Sequence, residues 1–153
     1  MIIFFRRMPK FRYLKPGSLQ EALSILNDDS QGRCRVYAGG TDLLPKLKKR
    51  SIQTPETVLD LKGIPGLDDV AYDQNEGLCI GALASISQVA GSPLVNQQYP
   101  ALAQGAGNIA ATHIQNRGTV VGNICSALPS ADSAPSLLAL DAQVCCQGPA
   151  GER

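Results

Sequence analysis

The chain has 153 residues, 44% hydrophobic and 18% charged, and its 14 basic and 13 acidic side chains leave a net charge of +1. That balance excludes broad electrostatic attraction to nucleic acid or an anionic membrane and leaves room for a local phosphate site. Five cysteines without C-x-x-C spacing and a single histidine disfavour a disulfide framework or a metal centre, and predict buried or semi-buried free thiols in a reducing compartment.

The opening run Met1-Ile2-Ile3-Phe4-Phe5 is too short for a signal peptide, and its basic residues Arg6 and Arg7 follow it instead of preceding it. No stretch approaches the roughly 20 apolar residues of a membrane helix. A soluble, cytoplasmic chain without membrane insertion is expected. Pro16-Gly17-Ser18 turns into a helix in which Ser18 caps the N-terminus and Glu21 completes a capping box. Leu19, Ala22, Leu23 and Leu26 give that helix one apolar face. Residues 34–38 read as a strand, 43–50 as a basic-ended helix and 57–61 as another strand, so residues 11–61 alternate as in a small sheet with parallel members. After Gly63 the pattern changes. Short strands at 69–72 and 78–81 flank a hairpin-like connection, and helices are expected near 85–90, 100–111 and 133–140. Residues 118–123 form a glycine-bounded segment. Residues 142–147 read as a strand running into the turn Gly148-Pro149-Ala150-Gly151, which leaves that strand without a return partner. The boundary between the two regions falls between residues 1–62 and 63–153.

Two segments carry chemical signal. Val36-Tyr37-Ala38-Gly39-Gly40-Thr41-Asp42-Leu43 runs from a strand through two glycines to a helix start. Glycines let backbone N–H groups approach an anion closely, and the helix start adds its own unpaired donors. A pyrophosphate cradle is one reading; the other is a plain turn capped by Thr41 or Asp42. Asn116 to Ile124 packs small residues, a hydroxyl and an amide into a nearly uncharged stretch, suited to close backbone contact with a phosphate or a flavin ring edge. Asp132 either accepts from ribose hydroxyls or caps the helix after it. Gly105-Ala106-Gly107-Asn108-Ile109-Ala110 fits the G-x-G-x-x-G/A dinucleotide pattern, but a helical stretch precedes it where a strand is needed. Its glycines therefore read as close helix packing. His113 has no nucleophile in a recognisable motif around it and reads as a surface residue. Lys46, Lys48, Lys49 and Arg50 complement the dipole at a helix C-terminus.

In combination, Tyr37 to Leu44, Ile80-Gly81-Ala82, Asn116 to Asn123 and Pro129 to Leu140 resemble the FAD-binding subunits of molybdenum hydroxylases. That family includes carbon monoxide dehydrogenase medium subunits, xanthine dehydrogenase flavin domains and 4-hydroxybenzoyl-CoA reductase β subunits. The resemblance covers about Phe11 to Arg153 in the family's order. It implies the α+β, two-subdomain FAD-binding fold of the vanillyl-alcohol oxidase-like (PCMH-type) class, with the second subdomain truncated. It further implies that Val36, Tyr37, Ala38, Gly39, Gly40, Thr41, Asp42 and Leu43 wrap the FAD pyrophosphate. Thr119, Val120, Val121, Gly122, Asn123 and Asp132 would line the other side, with Ile109 near the flavin. The partners implied are a large subunit carrying the molybdenum cofactor, a small [2Fe–2S] subunit and an external electron acceptor. Val121 stands where the family usually has glycine, and Gln115 where arginine is common; a β-branched residue at 121 is expected to hinder a positive φ or a close cofactor approach. The alternative reading is a truncated relic or interaction module with the same fold and no FAD binding.

Overall fold

The computed structural model describes residues 7–128, 131–148 and 151–153. Strand β1 (Arg12–Leu14) leads to helix α1 (Leu19–Asp28), β2 (Cys34–Tyr37), α2 (Leu43–Lys49) and β3 (Thr57–Asp60). These strands form a parallel sheet in the order β1-β3-β2, with Leu14 and Val36 both paired to Leu59. The last strand takes the centre, as two successive crossovers through helices allow. The expected alternation of elements is present.

Helix α1 starts as its cap predicts, with Ser18 Oγ accepting from Glu21 N–H at 3.2 Å. The reciprocal half differs: the Glu21 carboxylate accepts from Gly17 N–H at 2.9 Å, one residue before the cap. The apolar face buries Ala22 and packs Leu19, Ile25 and Leu26 with Cys34, Leu59, Ile64 and Leu67. Ile64 and Leu67 thus lie on the first cluster although they follow the last strand of the sheet.

A 3-10 turn, Leu61–Gly63, leads to the antiparallel hairpin β4 (Val70–Asp73) and β5 (Gly77–Ile80). Helices follow at α3 (Ile86–Gly91), α4 (Pro93–Gln98), α5 (Pro100–Gly107), α6 (Thr112–Gln115), α7 (Val120–Cys125) and α8 (Ala134–Ala139). Val89, Val95, Leu102 and Val120 are almost wholly buried in the second cluster. Each such side chain contributes roughly 1.5–3 kcal/mol of transfer free energy. Gly105 packs as expected: a Cβ there would lie 3.1 Å from Ser136 Oγ and 3.2 Å from the Asp132 carbonyl. It lets α5 and α8 approach.

Three expectations need correction. Residues 142–146 form no strand; they are exposed and have no core to cover. Only β6 (Gln147–Gly148) pairs, with β7 (Gly151–Glu152), and Cys146 and Arg153 exchange backbone hydrogen bonds beyond it. The chain does return; Pro149 and Ala150 of the turn lie outside the described residues. Second, of the free thiols only Cys34 is buried, while Cys79, Cys125, Cys145 and Cys146 are exposed, because they stand on short surface elements without a second layer. Third, residues 120–123 belong to a helix. Among the described residues no helix is long and apolar enough to cross a membrane.

Candidate functional site

The two glycine segments meet. A Cβ on Gly39 would lie 2.0 Å from the Arg117 carbonyl oxygen and 2.8 Å from Gly118 Cα, so the turn after β2 rests directly on the backbone before α7. A Cβ on Gly118 would fall 3.3 Å from Thr41 Oγ1, and Ser126 Oγ donates to Asp42 Oδ2 at 3.2 Å. The second segment is itself pinned: Ile86 N–H donates to Gly118 O at 2.9 Å, and Ser85 bridges Thr119.

Between them opens a cleft of about 330 Å³ lined by Ala38, Gly39 and Lys62 together with Ser85, Asn116, Arg117 and Thr119; Asp68 and Gln88 are among the remaining wall residues. Arg117 and Asp68 offset each other on the wall and Lys62 pairs with Asp60 at 2.8 Å, so its charges are balanced. Among the described residues, the amides of Gly39, Gly40, Thr41 and Asp42 meet no hydrogen-bond acceptor. Bare backbone donors are what an anionic group needs. The volume is at the lower end for a ligand pocket and admits part of a dinucleotide.

Only Ala38, Gly39 and Thr119 of the sequence-derived set line this cleft. Val36 is exposed on β2, and the Tyr37 ring lies against Gly40, which takes φ +77°. Asp42 precedes α2 without capping it; its carboxylate pairs with Lys46 Nζ at 2.6 Å. Leu43 opens α2. Ile109 and Val120 bury their side chains in the second hydrophobic cluster. Thr119 caps α7, accepting from Gly122 N–H at 2.9 Å, a contact too close for a side chain at Gly122. Asn123 accepts from the buried Ser133 hydroxyl at 2.7 Å. Asp132 is exposed beside α5, away from the cleft wall, and His113 is exposed on α6. Val121 lies within α7 and outside the positive-φ residues, so helical geometry accommodates its branched side chain.

Among the cleft residues that sequence reasoning missed, Lys62 makes the most contacts to the glycine turn. Its Nζ pairs with Asp60 Oδ1 at 2.8 Å, donates to Ala38 O at 2.8 Å and sits 3.5 Å from the Tyr37 ring centroid. Asp60 is 2% exposed at the end of the central strand, and it also accepts from the Tyr13 hydroxyl and from Lys62 N–H. Burial alone would raise its pKa, but the hydrogen bonds from Lys62 and Tyr13 outweigh that and hold the carboxyl below the usual range. The same bond, aided by burial, pushes the Tyr13 phenol up to about 12. An unfolded tyrosine titrates near 10, so the protonated phenol stabilises the fold fully below about pH 10 and that contribution disappears between about pH 10 and pH 12. The Asp60 contribution has the opposite sense: present above about pH 4 and lost as pH falls through its depressed value. Denaturant midpoints collected on both sides should hold on the neutral plateau and fall at each end. An alkaline limb that stays flat through about pH 12 would contradict the Tyr13 assignment.

A family model described as the FAD binding domain in molybdopterin dehydrogenase matches residues 9–153. The chain is 34% identical over 145 residues to the carbon monoxide dehydrogenase medium chain of Hydrogenophaga pseudoflava, covering 95% of this chain and 50% of that one. It is 29% identical over 146 residues to the nicotinate dehydrogenase FAD-subunit of Eubacterium barkeri, covering 95% and 49%. Among solved structures, a carbon monoxide dehydrogenase from Hydrogenophaga pseudoflava that lacks the Mo-pyranopterin moiety of its cofactor superposes with a TM-score of 0.90 at 33% identity, over 96% of this chain and 50% of the other. The chain spans about half the length of the curated relatives it matches.

Proposed function

Because this chain belongs to the family of FAD binding domains in molybdopterin dehydrogenases, we propose that it seats FAD and serves as the electron-transfer subunit of a molybdenum-containing hydroxylase or dehydrogenase. One observation supports the seat above all others: Gly39 of the turn and the Arg117–Thr119 segment line one cleft, and the turn's amides meet no acceptor among the described residues. The turn would hold the diphosphate, with Ala38, Gly39 and Gly40 giving close backbone approach and Thr41 and Asp42 supplying further amides. Thr119 would face the cofactor from the opposite wall. The remaining residues of the set, Val36, Tyr37, Leu43, Ile109, Val120, Val121, Gly122, Asn123 and Asp132, would shape or support that seat. Ile109 and Val120 would act from the core beneath it, and Asn123 through its bond to Ser133. We assign residues 1–62 and 63–153 to the two subdomains of a PCMH-type fold.

Bound flavin supplies reversible redox chemistry, and the protein's part is to bind, orient and exclude water. Electrons would arrive from [2Fe–2S] centres on a small partner subunit, having left substrate at a molybdenum cofactor on a large one, and would pass to an external acceptor in the cytoplasm. No general base is required of this chain. Titrating the purified protein with FAD should give saturable quenching of flavin fluorescence in the micromolar range. Fluorescence that stays linear in added FAD would refute the assignment.

A further inference from the structure

Two of the three donors on the Lys62 ammonium are committed inside the protein, one to Ala38 O and one to Asp60, with the Tyr37 ring beneath it. The Tyr37 ring in turn lies so close to Gly40 that a Cβ there would stand 2.1 Å from Cε2. One side chain thus grips both the carbonyl before Gly39 and the aromatic ring against Gly40. Its own anchor is fixed independently, because Asp60 keeps the Tyr13 hydroxyl and the Lys62 amide as donors whatever the side chain at 62. The ammonium is therefore dispensable for satisfying Asp60 but not for holding the turn.

We infer that Lys62 is a positioning residue for the diphosphate-binding turn, acting through Tyr37 and Ala38 rather than by contact with the cofactor. This rests on the FAD reading above. A cation that neutralises a carboxylate, stacks on a ring and fastens a carbonyl keeps Gly40 in its left-handed conformation, and so keeps the turn amides available. Arginine can reproduce the charge, the stacking and the carbonyl bond; methionine keeps only the length.

The test uses the whole chain with FAD and with riboflavin, which lacks the diphosphate. Lys62→Met should weaken FAD about tenfold and leave riboflavin within about twofold, while Lys62→Arg should restore FAD to within about threefold of wild type. Equal weakening of both flavins would mean a general structural role and overturn the inference. So would a Lys62→Met protein that binds FAD as wild type does, with the FAD reading left intact. A wild-type chain that takes up no FAD sinks the FAD reading itself, and the inference with it. Should Lys62→Met fail to fold, Lys62→Gln, which retains a donor for Ala38 O and drops the charge, takes its place with the same opposing outcomes.

Discussion

Replacing Gly39 with alanine is expected to weaken FAD binding severely and to destabilise the fold. The added Cβ would stand 2.0 Å from the Arg117 carbonyl oxygen and 2.8 Å from both Arg117 C and Gly118 Cα. All three are backbone atoms, held in place by Ile86 N–H on Gly118 O and by the helix that follows. No side chain can rotate away, so the two segments must part. Overpacking of this kind costs about 1–3 kcal/mol in stability. The effect on FAD should be larger, on the order of a hundredfold or more in affinity, since parting the walls removes the seat itself. Gly17→Ala is the matched control, because a Cβ there meets nothing within 4 Å. Flavin quenching and urea unfolding on both variants separate the two effects. Wild-type affinity in Gly39→Ala would show that the walls need not touch.

Gly39 illustrates what the sequence made legible and what it did not. Its place between a β-branched strand and an apolar helix start identified the turn, because those signals are local. The partner that makes glycine obligatory lies at Arg117, and nothing near residue 39 announces it. The parallel alternation over residues 12–60 was readable for the same local reasons: caps, apolar periodicity and turn residues agree. Helix α7 was hidden because Val120-Val121 between glycines looks like loop or strand. Its start is set by Thr119 bonding Gly122 N–H, a cap without an acidic partner residue. Helices α4 and α6 are too short to display a period, although Ser92-Pro93 marks the first. The strand expected at 142–147 finds a ladder only at its end, where Cys146 and Gln147 meet Arg153 and Glu152; residues 142–145 have no neighbour to pair with, and pairing decides strands. Lys62 was invisible because its role depends on three contacts converging from Tyr37, Ala38 and Asp60 across the sheet end.

Asp60→Ala should cost about 2–4 kcal/mol of stability, since it strips one acceptor from several donors at once. The Tyr13 hydroxyl, the Lys62 amide and the Lys62 ammonium all converge on this carboxylate. The carboxylate is buried, so the Lys62 amide that it accepts from loses its partner, while Tyr13, 53% exposed, can turn its hydroxyl to solvent. Lys62, about a third exposed, can find solvent for part of its charge, and that keeps the loss below the cost of orphaning a fully buried ion. Asp60→Asn should lose less, because one carbonyl oxygen still accepts. The pH profile gives an independent reading: without Asp60 the Tyr13 phenol loses the partner that raised it most, so the alkaline loss of stability between about pH 10 and pH 12 should shrink in Asp60→Ala. Urea unfolding across that window in both proteins measures the magnitude and the pH dependence together. A variant as stable as wild type, with its alkaline limb unchanged, would mean that the sheet end holds the glycine turn without help from this carboxylate.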